Sequence, residues 1–364
     1  MNMAYKMIQV GAGGWGAYWC RMFLPPNIQE GLIEVVAAVD INPEALKNYA
    51  QEALGLRDDQ CYTDLNKAFD ENKADFCTVV VPPAYHEQVV DAALAHDMHI
   101  LSEKPIADTL EASVRIANKV KKARKKMGVT MSHRFDQDKT TLREEIRSGR
   151  HGKVDYVVGH HTSALRKFPS WGAYRHKLMD VQLVEGCVHH LDILADFAGA
   201  KCATIYAETW NPPWGEYEGN PQALVMMRFA NGARGVLEAA EANAVPLYGW
   251  MQEYWRVECE RSTLLLNHRE LECFPYDPSN SSALVVVREG DGQKIPLIEQ
   301  PKWFNIWLVE KFVKWLDGGE PMETNVEDNL QSVAMVFAAI ESSRTGQPVK
   351  VQEFLAKTRE KCGR

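Results

Sequence analysis

The sequence predicts an α/β protein: an N-terminal doubly wound parallel sheet, then an α+β domain with a large mixed or antiparallel sheet. Three observations carry this. Apolar runs alternate with helix-like segments over the first third of the chain. A glycine-rich turn, Gly11-Ala12-Gly13-Gly14-Trp15-Gly16, follows the first of those runs. Beyond about residue 150 the pattern changes to strand-like segments separated by turns such as Asn231-Gly232 and Asp291-Gly292.

Residues 6–10, 33–40, 76–81, 99–102 and 129–132 read as the parallel strands. Several are nearly continuous apolar runs, as strands covered on both faces should be. Asn42-Pro43 reads as a helix cap followed by proline at the first helical position, with Gly55 as the stop. Pro83 precedes a helix over 84–97, and Thr109 caps one ending near Gly128. In the second half, 154–161, 203–208, 223–229, 235–241, 252–260 and 284–287 read as strands, and 303–316 and 326–343 as closing helices. The reading is a dinucleotide-type domain over 1–132 and an α+β domain over 133–364, with the helices of 303–345 packing near the domain junction.

Composition narrows the classes. The 364 residues exceed what one core usually supports, roughly 250–300 residues. With 46% hydrophobic and 25% charged residues the chain reads as an ordinary globular protein. The 41 basic and 49 acidic side chains leave a net charge of −8, which argues against a nucleic-acid partner. The basic run 119–126 closes a helix, where cations suit the macrodipole, and reads as a solvated face. No apolar stretch is long enough to span a membrane, and no export signal is visible at Met1–Lys6. The eight cysteines lack C-x-x-C spacing, so the expected state is reduced thiols in a cytoplasmic protein.

The glycine turn fits G-x-G-x-x-G. Gly11 permits the tight turn, Gly13 lets the backbone approach a pyrophosphate, and Gly16 lets the helix pack on the sheet. The helix that begins near Gly14 then aims its unpaired N–H groups and positive end, with Trp15 in the first turn, at the phosphates. Asp40 ends the second strand 24 residues beyond Gly16. Its carboxylate suits a ribose diol and repels a 2′-phosphate, so NAD is expected rather than NADP. The pattern is that of a Rossmann domain.

The fourth strand ends in Ser102-Glu103-Lys104-Pro105, at the carboxyl edge where ligands bind such sheets. Here the chain resembles the glucose–fructose oxidoreductase / inositol dehydrogenase / MocA family over nearly its whole length. The motifs are the glycine turn, Asp40, Pro82–His86, Glu103-Lys104-Pro105, Ser132-His133-Arg134-Phe135, Gly152-Lys153-Val154, and Glu185-Gly186-Cys187-Val188-His189-His190-Leu191-Asp192. The resemblance implies Lys104 as catalytic lysine, His189 as second catalytic residue, and Glu103 near the nicotinamide ribose. It adds Pro82 and His86 to the cofactor-binding set, and pyranose-like or polyol substrates held between the domains. It also implies that the open sheet forms a subunit interface, so a homodimer or homotetramer is expected. Where the family has Asp-x-x-x-His, this chain has Glu185-x-x-x-His189, without the usual glycine-rich lead-in.

Such residues suit alcohol oxidation. Histidine's reference pKa of about 6.5 suits His189 to general base work near neutrality. Lys104 can stabilise the developing alkoxide or, desolvated, take the proton itself. Glu185, four residues before His189, shares its helix face and would orient the imidazole or bind a hydroxyl. Arg134, Tyr156, Arg166, Trp171, Tyr174, Arg175 and His190 are the candidate substrate contacts. Of His160 and His161, neighbours on a strand, at most one faces the crevice. Glu185, His189, His190 and Asp192 also have the side-chain types of a zinc or manganese site, but no further ligand motif accompanies them and no metal is assigned. The function read is NAD-dependent hydride transfer at a secondary hydroxyl of a sugar, sugar derivative or cyclic polyol. The alternative is a redox-neutral glycoside-cleaving or epimerising enzyme that oxidises the sugar transiently. A non-catalytic dinucleotide-responsive regulator is the third possibility.

Overall fold

The computed structural model describes residues 4–280, 282 and 284–363; Met1, Asn2 and Met3, the start of the stretch read as lacking an export signal, lie outside the described residues. The chain forms two compact units. One is Met1–Phe135, Pro301–Leu330 and Thr358–Arg364, and the other Asp136–Gln300 and Gln331–Lys357.

In the first unit β1 (Tyr5–Val10), β2 (Ile33–Val39), β3 (Cys61–Tyr62), β4 (Phe76–Val79), β5 (His99–Ser102) and β6 (Met127–Val129) form an all-parallel sheet. The order is β3-β2-β1-β4-β5-β6, so the direction of winding reverses between β1 and β4. Val10 pairs with both Val39 and Val79, so the three strands end level and their following loops share one edge. Helix starts follow the sequence. The side chain of Asn42 accepts from the Glu44 N–H at 3.1 Å, and that of Thr109 from the Ala112 N–H at 3.1 Å. Gly55 ends its helix in the left-handed region at φ 69°.

The returning helix Phe304–Leu316 belongs to this unit. Its Phe312 packs edge-on to Phe76 at 5.3 Å, and Trp307 on Phe135 at 5.4 Å. Gly128 shows why the last strand differs from expectation. A Cβ there would lie 2.8 Å from the Met322 sulfur and 3.2 Å from Phe312, so this glycine sits inside β6 instead of stopping a helix. The helix Leu110–Lys122 ends earlier, and Ser132–Phe135 forms a 3₁₀ turn instead of extending the strand. The basic run is partly paired: Lys119 meets Glu87 at 2.9 Å and Asp91 at 2.7 Å, and Lys125 meets Asp97 at 2.6 Å.

In the second unit a nine-stranded sheet comprises β7 (Val154–Thr162), β8 (Cys202–Trp210), β9 (Gln222–Phe229), β10 (Arg234–Ala240), β11 (Tyr254–Cys259), β12 (Ser262–Asn267), β13 (Glu270–Pro275), β14 (Gln293–Ile295) and β15 (Val349–Lys350). Its order is β14-β13-β12-β11-β7-β10-β9-β8-β15, and only the β7–β10 pair is parallel. The helix Cys187–Ala198 packs on β7 and β10. The opposite face carries exposed Leu224, Met226 and Val236. Gly159 makes room on the helix-covered face, where a Cβ would stand 2.6 Å from the Trp255 ring.

Two expectations are corrected. Residues 284–287 are exposed and form no strand; the apolar run there packs against nothing that would bury it. The hairpin β12–β13 was not expected, because its turn is His268-Arg269 at φ 46° and 66°, without the glycine that usually marks such turns. Among the described residues no helix is long and apolar enough to cross a membrane. All eight cysteines are free thiols.

Candidate active site

The first unit gathers its candidate residues along the carboxyl ends of its strands. Gly11 follows β1 at φ 91°, and a Cβ on it would stand 2.0 Å from the Val80 carbonyl oxygen. A Cβ on Gly16 would stand 2.3 Å from the Gly11 carbonyl oxygen. Both positions therefore require glycine. The turn then enters a continuous helix over 15–29 that widens to a π-turn at Trp19–Phe23. Asp40 reaches across from β2. Its Oδ2 accepts the N–H groups of Ala12 at 2.7 Å and Gly13 at 2.8 Å, and its Oδ1 that of Asn42 at 2.9 Å. The N–H groups of Gly14 and Trp15 take no partner among the described residues. Two adjacent amide donors at the head of a helix, beside a residue with no Cβ, fit a pyrophosphate.

Pro82 is exposed in the loop after β4. His86 is fully buried, with Nε2 2.8 Å from the Val81 carbonyl and Nδ1 3.2 Å from that of Ile106. It thus braces the loop holding Pro82 against the segment that follows Lys104. Glu103 ends β5, buried, and accepts both the Trp15 and Trp19 indole N–H groups on Oε1, at 2.7 and 2.8 Å. Burial pushes its carboxyl up from the ordinary value, against the Lys104 charge and the indole hydrogen bonds. Lys104 is half-buried, and its peptide bond to Pro105 is cis. Arg134 lies in the 3₁₀ turn just past β6, on the same sheet edge.

In the second unit Glu185 sits in a π-turn, Gln182–Gly186, that leads into the helix Cys187–Ala198 carrying His189. Such widened turns recur at functional sites. Glu185 is buried and pairs with Arg175, whose Nε is 3.1 Å from Oε2. Arg175 lies over the Trp171 ring at 5.4 Å, and Tyr174 is exposed in the same short helix, Ala173–His176. Those four residues are brought together. Arg166 instead joins the Asn243 carbonyl at 3.2 Å and the Trp214 ring at 6.0 Å. His189 is buried, edge-on to Trp250 at 5.5 Å.

Two candidate substrate contacts stand elsewhere. His190 is fully buried: Nδ1 meets the Gly186 carbonyl at 3.0 Å, and the ring stacks on His161 at 4.5 Å and on Trp255 at 5.9 Å. Burial and the neighbouring His161 lower its pKa. For His161 burial also opposes the charge, but the Glu241 carboxylate at 3.2 Å and Glu253 outweigh it and the pKa is raised. Tyr156 is an odd number of positions from His161 on β7, so it faces away from the helix bearing His189. There it stacks with Arg256 at 5.8 Å. The four residues weighed as a metal site have diverging partners: Glu185 meets Arg175, His190 the Gly186 carbonyl, Asp192 Ser332, and His189 packs on Trp250.

Two groups lie outside the sequence-predicted set. Trp19 is one, although its four-residue spacing from Trp15 places both indoles on one side of a helix. The ion cluster around Lys139 is the other. Lys139 is 1% exposed and meets Glu253 at 2.7 Å, Asp136 at 3.2 Å and Asp138 at 3.4 Å, while Arg269 meets Asp136 at 3.2 Å.

Residues 6–131 match the profile of an oxidoreductase family with an NAD-binding Rossmann fold, and 143–351 match that family's C-terminal alpha/beta domain. A Sinorhizobium fredii protein called uncharacterized protein y4oX is 54% identical over 353 residues, 97% of either chain. Inositol 2-dehydrogenase of Corynebacterium glutamicum is 26% identical over 248 residues, 67% of this chain and 69% of that one. An Agrobacterium radiobacter oxidoreductase solved with NAD+, L-tartaric acid and magnesium shares the fold at TM-score 0.80 and 19% identity, covering 96% of this chain and 99% of that one.

Proposed function

The chain belongs to the glucose–fructose oxidoreductase / inositol dehydrogenase / MocA family of NAD-binding oxidoreductases, and on that footing we propose that it oxidises a secondary hydroxyl of a sugar, sugar derivative or cyclic polyol. The observation that carries this reading is the position of Lys104. It directly follows Glu103 on the sheet edge that also bears the dinucleotide turn.

NAD, when bound, supplies the hydride acceptor. The chain supplies the rest. The free N–H groups of Gly14 and Trp15 receive the pyrophosphate, and Asp40 receives the adenosine ribose diol. The Lys104 ammonium donates to the substrate oxygen and stabilises the negative charge that develops as its proton leaves. An imidazole is suited to accept a proton near neutral pH, and His189 is the second unit's candidate for that role. Arg175 holds Glu185 by a charge-assisted hydrogen bond, which presents a neutral donor–acceptor pair to neighbouring substrate hydroxyls.

The test is purified protein with NAD and a panel of inositols, aldoses and sugar acids, followed by reduced-nicotinamide absorbance. Turnover of at least one member is expected, and none across the panel overturns the reading. Product formed without net NADH identifies a redox-neutral reaction instead.

Asp40 gives a separate prediction for cofactor choice. Asp40→Ala removes the ribose acceptor and the carboxylate that repels a 2′-phosphate. It is expected to raise the KM for NAD about tenfold, or ~1.4 kcal/mol, and to narrow the preference over NADP. Side-by-side titration of the two cofactors measures both, and an unchanged NAD/NADP ratio would refute the assignment.

A further inference from the structure

Glu103 joins two parts of the first unit that otherwise belong to different strands. Its amide N–H donates to the Val79 carbonyl at 2.8 Å, which fixes its main chain on the sheet. Its Oε2 accepts the main-chain N–H of Lys104 at 3.2 Å. Its Oε1 accepts two indole N–H groups, from Trp15 at 2.7 Å and from Trp19 at 2.8 Å. The carboxylate is therefore held from the Lys104 side by one oxygen and from the glycine-turn helix by the other.

The two indoles are not equivalent. Trp19 is fully buried and packs edge-on to Phe23 at 5.7 Å, so its hydrogen bond is part of the core. Trp15 is 39% exposed, yet it directs its one polar side-chain atom inward to Glu103. Its ring leans on Tyr18 at 5.0 Å and Phe23 at 5.8 Å. Trp15 also carries one of the two unpartnered amides of the phosphate turn. A single residue thus faces the dinucleotide through its main chain and the Lys104 segment through its side chain.

We propose that Trp15 is a positioning residue that couples dinucleotide binding to the placement of Lys104 through Glu103. The inference rests on the reading above that Lys104 acts on the substrate oxygen. Removing the Trp15 N–H leaves the Trp19 bond in place, so the carboxylate stays satisfied and the core intact. What is lost is the restraint from the glycine turn. Small misplacements of a reacting group are costly, up to about 10²-fold per ångström.

The experiment compares wild type with Trp15→Phe, Glu103→Ala and the double variant. Trp15→Phe is expected to lower kcat roughly tenfold, with the Kd for NADH and the melting temperature nearly unchanged. In the Glu103→Ala background the same substitution should change kcat by less than about twofold, because the two act as one unit. A kcat within about twofold of wild type, a loss confined to the KM for NAD, or a full tenfold loss in the Glu103→Ala background each overturns the proposal. A second readout needs no substrate. The rate at which an acylating reagent modifies Lys104, mapped by peptide mass, should change on adding saturating NADH by a larger factor in wild type than in Trp15→Phe. Equal responses in the two proteins overturn the proposal. Absence of turnover on the whole panel overturns the functional reading separately.

Discussion

Lys104→Met should reduce kcat by about 10²- to 10⁴-fold, the range for losing a group that stabilises charge or moves a proton in the transition state. The substitution keeps length and apolar bulk while removing the ammonium. The backbone at this position is held independently by the Glu103 carboxylate, and His86 braces the segment that follows. The NADH Kd should therefore stay within about threefold, since the amine acts on substrate oxygen and uniform binding is untouched. Steady-state kinetics with a nucleotide-binding titration separates the two. Arginine should not rescue, because its broad planar fork cannot replace a compact ammonium. A loss smaller than about tenfold would remove Lys104 from the chemistry.

Lys139→Met should have the largest effect on stability, a loss of about 3–5 kcal/mol. Lys139 is buried among three carboxylates, and their combined charge raises its pKa although burial alone would lower it. Without it Asp136 and Asp138 share Arg269, which is partly exposed, and Glu253 loses its ammonium partner at 2.7 Å. Unpaired buried charge is much more costly than an absent pair. The pH dependence has a definite sign. Burial, opposed by Lys139 but reinforced by Asp136 and Glu253, raises the Asp138 carboxyl from 3.8 to about 6. A carboxyl raised on folding binds more protons in the native state over that interval, so its contribution to stability falls as pH rises from about 4 to 6 and then levels off. Removing Lys139 extends the raised range upward, so the variant's deficit should be largest near neutrality and shrink toward pH 4. Denaturant titrations of both proteins across this range measure it. A deficit that stayed constant with pH, or grew as pH fell, would refute the account.

What the sequence revealed of the fold follows the strength of its local signals. The glycine turn, the Asn42 and Thr109 caps and the left-handed Gly55 each act through nearby backbone, so the first unit was readable strand by strand. The short edge strand Cys61–Tyr62 was not, because two residues carry no pattern. Gly128 misled for a physical reason: glycine excludes a side chain from a crowded strand as readily as it ends a helix. At the candidate site, residue type was legible and orientation was not. His189 and His190 are neighbours with the same chemistry, and only packing against Trp255 and His161 turns the second inward. Asp136, Asp138 and Lys139 look like the polar start of a surface helix. The hairpin β12–β13, whose turn lacks the usual glycine, packs against that helix and helps make it an interior charge cluster.

The route of the chain has a consequence for synthesis. Helix Phe304–Leu316 supplies the aromatic cover for Phe76 and Phe135, yet it is made after nearly the whole of the other unit. The nucleotide-binding sheet leaves the ribosome before that helix and cannot bury its own aromatic seam until some 170 further residues have followed. A fragment cut after Phe135 would leave that seam open to self-association, so a nascent chain depends on this later-made helix to finish what the earlier-made strands began.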